Sequence, residues 1–333
     1  CEGSETQKLA TMRIIYLTAL TGFFTIPIII RYCGCIFGTL LIILFGVLTV
    51  YSVYLLVKCH EITGKSGYIM FGKMTIGNIG SIFVRVILIF FALFLCCAYF
   101  RITGDFMEII VQAFVSPDNF LMNTWNGLIC IAIASVLCCY YIFKQPVSGI
   151  TKSSYVGTIL AIIFIVILII LLVFKCIEED MAYSSIGNFL SINTDFVDAF
   201  HAIPTLFLTY TFQQNLFSIY HSLRERKTEV MMKATCYGIT FGFVIFLIVG
   251  ALTFSMYGLE MNYTLIEEFY KDMVNYRVDH WFGVLLLILI CITIFASCFT
   301  IFPSSFIYLR ENVYNLLIYF KKNYFSTNEV SIQ

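Results

Sequence analysis

The stretch Ala199–Tyr220, AFHAIPTLFLTYTFQQNLFSIY, is long enough to cross a bilayer, yet Thr209, Tyr210, Thr211, Gln213, Gln214 and Asn215 crowd its middle just after Pro204. Hydrocarbon offers no hydrogen-bond partners, so a polar group left unmet at that depth costs roughly several kcal/mol. Six polar side chains within seven positions cannot all be hidden by bonds back to their own helix. The block is therefore the wrong composition for a simple anchor and implies a face turned to protein, water or a solute. A polar seam between helices is the alternative.

The rest of the chain reads as the same kind of molecule. Of its 333 residues 60% are hydrophobic and only 12% charged, and the mean hydropathy is +0.91, against about 25% charged residues in ordinary globular chains. Apolar runs of spanning length fall near residues 12–33, 35–57, 81–104, 126–142, 153–174, 198–220, 236–257 and 281–303, about eight spans in all. They leave no stretch for a folded aqueous domain. The expected organisation is a tail at 1–11, a membrane domain at 12–303 and a polar-ended segment at 304–333, in which NVYNLLIYF is too short to cross. The chain begins at Cys1 and residues 1–11 lack signal-peptide features, which reads as a fragment or a trimmed chain.

Charge orients the array. Fourteen of the 20 Lys and Arg fall on one side, four (Arg31, Lys175, Lys271 and Arg277) on the other, and Arg85 and Arg101 lie within the third span. The positive-inside rule then puts both ends of the chain in the cytosol. Trp125 and Trp281 each begin a span at the outer interface, the loops on that side are acidic, and the only N-x-S/T sequon, at Asn262, falls in one of them as a glycosylation candidate. No basic block suggests nucleic acid as a partner. The thirteen Cys sit mostly in apolar runs, as small hydrophobes rather than a disulfide framework. Hydrolase and nucleotide motifs are absent, no carboxylate sits at the centre of a span, and His60, His201, His221 and His280 fall at membrane edges. These features exclude the common enzyme classes and imply no metal or organic cofactor.

Spans one and six share an unusual centre followed or preceded by proline: Thr21-Gly22 then Pro27, and Pro204 then Thr209 to Asn215. Five spans separate their starting points, and an odd number reverses direction across the membrane. That is the layout of an inverted five-span repeat whose paired broken helices build a site at the midplane. In span one, Gly22 weakens the helix, Pro27 removes a donor, and Thr18, Thr21 and Thr25 offer hydroxyls. Either the segment unwinds and presents backbone groups, or it is a kinked helix whose threonines bond back to their own carbonyls. A free amino acid suits an opened helix, whose terminal amides face the carboxylate while carbonyls and hydroxyls face the ammonium. Ser297 and Thr300 share a helix face in span eight; with Thr18 they are candidate ligands for a sodium ion, or else small residues that pack helices together.

The chain resembles the amino acid/auxin permease family, within the amino acid–polyamine–organocation superfamily. Thr21-Gly22-Phe23-Phe24-Thr25-Ile26-Pro27 resembles its first-span pattern, Gly38–Cys59 its second span, Tyr68 with Phe71-Gly72 the following loop, and Ile102 to Phe106 the end of its third. AIPTLFLTYTFQQNLFSIYHSL is similar to the sixth-span pattern, with Gln214-Asn215 and Ile219-Tyr220 in agreement. Phe212-Gln213 stands where many members have cysteine-histidine, Leu20 replaces a usual glycine, and Ile301-Phe302-Pro303 resembles the end of the eighth span. The resemblance implies an all-α polytopic transporter with an inverted five-span repeat and discontinuous spans one and six. Members have about eleven spans, so the second repeat is incomplete in this chain. Implied with it are an amino-acid substrate held at Thr21, Gly22, Phe23, Thr209, Tyr210, Thr211 and Gln213, coupling to Na+ or H+, alternating access, and a plasma or vacuolar/lysosomal-type membrane. An amino-acid sensor or a non-transporting membrane protein on the same scaffold is the other reading. Oligomeric state is not legible.

Overall fold

A computed structural model describes residues 5–114, 150–178, 196–258, 265–276 and 280–330, with scattered positions between 129 and 140. The helices are α1 (Gln7–Cys33), α2 (Cys35–Thr63), α3 (Tyr68–Ile76), α4 (Asn78–Phe114), α5 (Ile150–Glu178), α6 (Phe196–Thr209), α7 (Leu216–Ser222), α8 (Thr228–Tyr257), α9 (Leu265–Tyr276) and α10 (Trp281–Val330). Among the described residues the one β-type contact is a parallel bridge between Glu5 and Leu223. Five helices, α2, α4, α5, α8 and the start of α10, are long and apolar enough to cross a membrane, and α1 makes six if its two bent halves form one span. Span six is a broken element, and the expected fourth span, the Trp125 interface and the Asn262 sequon lie largely or wholly outside the described residues.

Lipid rather than water as the surrounding medium explains the residue pattern. Along α2 the buried positions are Gly38, Ile42, Gly46, Thr49, Val53 and Val57, one stripe at helical spacing. The opposite face exposes Leu40, Leu44, Val47 and Leu48, where a water-facing helix would carry charge. Helices of equal hydrophobicity on both faces gain nothing by hiding apolar surface from lipid, so close approach must supply the attraction. Glycines permit it. Ile14 of α1 lies where a side chain at Gly238 of α8 would stand, Thr18 lies over Gly242, the Phe246 ring occupies the space beside Gly22, and Ile30 fills the space at Gly250.

These pairs also give the relative directions. Positions rising along α1 meet positions rising along α8, so the two run parallel. Tyr16 over Gly157 and Phe23 against Phe164, ring centroids 4.5 Å apart, make α5 parallel to α1 as well. The α6–α7 segment runs the other way: Tyr32 faces His201, Thr21 meets Thr209, and Glu5 meets Ser222. Helix α1 packs against α8, α6 and α5, while α10 packs along α4 and α5. Helix α9 lays Leu265, Phe269 and Met273, one face at four-residue spacing, onto the bundle end.

Two expectations are refined here. Span one is helical throughout, not unwound, and its irregularity is a 47° bend after Ala19. Hydroxyls returning to the helix explain how it bends without opening: Thr18 Oγ1 donates to Ile14 O and Ile15 O, and Thr21 Oγ1 to Thr18 O at 2.8 Å. Through the segment expected after span eight the chain stays helical, since α10 runs for 50 residues, about 75 Å at 1.5 Å per residue.

A side chain at Gly22 has to displace Phe246, which is fully buried. We expect Gly22→Val to cost about 1–3 kcal/mol through overpacking. Thermal unfolding of the detergent-purified protein checks this: the variant melts lower, and Phe246→Leu in the same chain recovers much of the loss.

Candidate functional site

The break in span six follows from its sequence. Pro204 is carried inside α6 without ending it, and the α-helix stops at Thr209. Tyr210 adopts φ −108° and ψ 28°, outside helical values, after which Thr211–Asn215 wind as a tight 3₁₀ turn before α7 resumes. A change of winding releases backbone groups from the i to i−4 ladder, and in lipid each must find another partner. Thr209 O finds its partner in another element, and Gln213 O, which accepts from Leu216 N–H within the turn, gains a second one there. Thr21 Oγ1 of α1, whose one proton is shared between Thr18 O of its own helix and Thr209 O, lies 2.9 Å from Thr209 O, and Tyr68 Oη of α3 donates to Gln213 O at 3.0 Å. Burial pushes the Tyr68 phenol above its ordinary pKa, with a smaller contribution from Tyr308, so it remains a donor.

The side chains complete the seam. Thr25 Oγ1 and Thr209 Oγ1 are 2.7 Å apart, both residues buried, and Thr209 also faces Thr205 O at 2.9 Å. Tyr210 reaches across to α2, donating from Oη to Ile42 O at 2.9 Å beside Gly46, while its ring meets Phe246 edge-on at 5.7 Å. Beside the seam lies a cavity of about 270 Å³ between α2 and α6, where Tyr210 and Gln213 join Thr49, Ser52, Phe45 and Phe207.

The expected site residues therefore divide. Thr21, Thr209 and Tyr210 belong to one bonded unit, Gln213 joins it through its carbonyl and lines the adjoining cavity, and Gly22 and Phe23 adjoin it through packing against Phe246 and Phe164. Only the backbone of Thr211 and Thr300 is described. Thr18 gives its hydroxyl to its own helix and faces Gly242, while Ser297 is buried on α10. Thr25 and Tyr68 were not among the expected ligands. Both occur in the segments that carry the resemblance, but nothing in their local sequence reveals which distant carbonyl each meets.

Each end of the bundle is fastened by a buried ionic cluster. At one end Arg13 Nη1 contacts both carboxylate oxygens of Glu5 at 3.1 Å, Ser222 Oγ donates to the same carboxylate at 2.8 Å, and backbone bonds tie Glu5 to Ser222 and Arg224. His221, at this end, is held below its usual pKa by partial burial and then by the charges of His60 and Arg226. At the other end Lys175 of α5 pairs with Asp272 of α9 at 2.8 Å, Tyr257 Oη donates to Asp272 at 2.8 Å, and the Lys175 ammonium lies 4.2 Å from the Tyr257 ring centroid.

A bundle of apolar helices around one broken span with a closed polar seam is the architecture of a multi-pass membrane protein. The profile of the transmembrane amino acid transporter protein family matches residues 5–330. The chain belongs to that family, whose members are transporters and not enzymes. It is 21% identical over 323 residues to vacuolar amino acid transporter 2 of Saccharomyces cerevisiae, covering 94% of this chain and 64% of that protein. It is 22% identical over 311 residues to amino acid transporter AVT6E of Arabidopsis thaliana, covering 89% of this chain and 60% of that one. A shorter match, 29% over 121 residues, covers 36% of this chain and 27% of the putative sodium-coupled neutral amino acid transporter 11 of Danio rerio. The chain thus spans less than two thirds of the length of the yeast and plant relatives.

The Thr25–Thr209 contact joins two elements 184 residues apart. A double-mutant cycle with Thr25→Val and Thr209→Val, read by thermal unfolding, is expected to give a coupling of about 0.5–1.5 kcal/mol. Independent effects would mean that the two hydroxyls do not support each other.

Proposed function

We propose that this protein moves amino acids across a membrane as a secondary transporter working by alternating access, with the substrate held where the bend of span one meets the break of span six. The observation that carries the proposal is the meeting of the α1 bend with the span-six break through Thr21, Thr25 and Thr209. A zwitterion entering the seam exchanges those hydroxyl and carbonyl contacts for its own, so the groups are satisfied with or without it. Tyr210 and Gln213, lining the adjoining cavity, and Thr211 in the turn complete the proposed site with Gly22 and Phe23.

The antiparallel course of α1 and α6–α7 is what an inverted five-span repeat requires, and it supports that reading. The packing supports a rocking motion: α1, α2, α6 and α8 adjoin one another, α4 pairs with α10, and α5 contacts both groups. The ionic clusters at the two ends are the proposed gates. Opening towards the Glu5 end parts Arg13 from Glu5 and Ser222, while the Lys175–Asp272 cluster holds the other end shut. The positive-inside assignment makes the Glu5 end cytosolic. Coupling to sodium through Thr18, Ser297 and Thr300, or to protons, belongs to the same proposal, as does a vacuolar-type membrane, which the yeast relative's name supports.

Uptake of radiolabelled neutral and cationic amino acids into proteoliposomes, with sodium and pH gradients imposed separately, tests the proposal. Thr209→Val and Tyr210→Phe are expected to lower uptake about tenfold or more while the protein remains folded. Binding without accumulation would instead make it a sensor.

The gates carry a separate prediction. Removing one partner of a buried pair strands the other charge, at about 3–5 kcal/mol. Arg13→Gln is expected to speed amide hydrogen exchange at residues 5–13 and 219–224, leaving the Lys175 end protected.

A further inference from the structure

A second polar pocket lies away from the threonine seam. It has a volume of about 430 Å³, and its walls come from the start of α3, from α4, from the end of the 3₁₀ turn with α7, and from the distal half of α10. The seam residues Thr21, Thr25, Thr209 and Tyr210 take no part in it. Under the positive-inside assignment it belongs to the cytosolic half of the protein.

Two features make it a ligand site rather than a packing defect. Gln214 Oε1 and Asn215 Nδ2, on neighbouring residues of its wall, are buried without any hydrogen-bond partner among the described residues. One is an acceptor and the other a donor, and a native structure does not leave such atoms unmet without a reason. The same pocket brings together one cation, Arg85 of α4, and one anion, Glu311 of α10, neither in an ion pair among the described residues. Asn312 Nδ2 donates to Tyr308 O of its own helix at 2.8 Å.

An unmet donor with a cation, and an unmet acceptor with an anion, describe the complement of a small zwitterion. We propose that this pocket binds a molecule carrying a primary ammonium and an acidic group a few bonds apart. The acidic group bonds to the Arg85 guanidinium and Asn215 Nδ2, and the ammonium to Gln214 Oε1 and the Glu311 carboxylate. A free amino acid has this chemistry, and so does the ethanolamine phosphate headgroup of a phospholipid. This site is separate from the proposed transport site, and its occupant bridges the end of the 3₁₀ turn to α4 and α10.

Equilibrium binding to the full chain, purified in detergent without phosphatidylethanolamine, tests the proposal, with each of the twenty L-amino acids and phosphoethanolamine as probes. At least one probe is expected to bind with an affinity that falls about tenfold or more in both Arg85→Gln and Glu311→Gln and is unaltered in Thr209→Val. If amino acids show this pattern the ligand is a free amino acid; if phosphoethanolamine alone shows it, the ligand is a lipid headgroup. Affinities for every probe that ignore both charge substitutions overturn the proposal. A second measurement covers poorly folded variants. Gln214→Met with Asn215→Leu removes the two unmet atoms, so this chain should melt higher than the wild type without ligand and lose the rise in melting temperature that the probe gives the wild type. A lower melting temperature would make the amides structural and sink the idea. Uptake that ignores Thr209→Val, beside binding that still needs Arg85, would defeat the transport-site reading alone.

Discussion

Interrupting a helix inside hydrocarbon creates backbone groups that only protein can satisfy, and the arrangement of this molecule answers that demand. The break at Tyr210 exposes the carbonyls of Thr209 and Gln213 to partners outside their own helix. Thr21 reaches the first from α1 and Tyr68 the second from α3, while Tyr210 itself is anchored on α2 through Ile42 O. Three separate elements are thereby tied to one short turn. A helix that had stayed regular would have kept those backbone groups within its own ladder.

The remaining packing makes this contact possible. Helix α1 can bring Thr21 and Thr25 to Thr209 only if it lies close to its neighbours, and the glycines of α5 and α8 provide that closeness. The bend after Ala19 is the compromise. Threonine hydroxyls returning to the preceding turn keep the backbone satisfied while the axis turns by 47°, so span one contributes polarity without opening. Span six does open, because Tyr210 leaves helical geometry and a 3₁₀ turn follows. The two halves of the proposed site are thus unequal in construction.

Solvation made much of this legible in advance. The polar block in Ala199–Tyr220 and the pairing of Thr21-Gly22 with it mark the place where α1 and α6 bond to each other, since hydrogen-bonding groups at mid-span have few alternatives. Relative helix directions were also readable, from the number of spans between segments. Less accessible was the state of the first span, because Gly and Pro weaken a helix by amounts that neighbouring packing overrides. The role of Glu5 was hidden too. It lies in a tail with no distinctive pattern, and only the approach of Arg13 and Ser222 turns it into a buried lock.

The sequence alone determined the medium, an all-helical chain with several apolar spans, the polar interruption at the sixth, and the family. These follow from local composition, since burying a residue in lipid depends on its own transfer energy and that of its near neighbours. The tertiary structure alone decided which hydroxyl meets which carbonyl, that Gly22 receives a Phe246 ring, and that Gln214 and Asn215 face a charged pocket instead of the threonine seam. Those outcomes turn on the rotation and depth of helices far apart in the chain. Rotating one helix by a single residue moves a side chain by about 100° around its axis, and no local pattern encodes that choice.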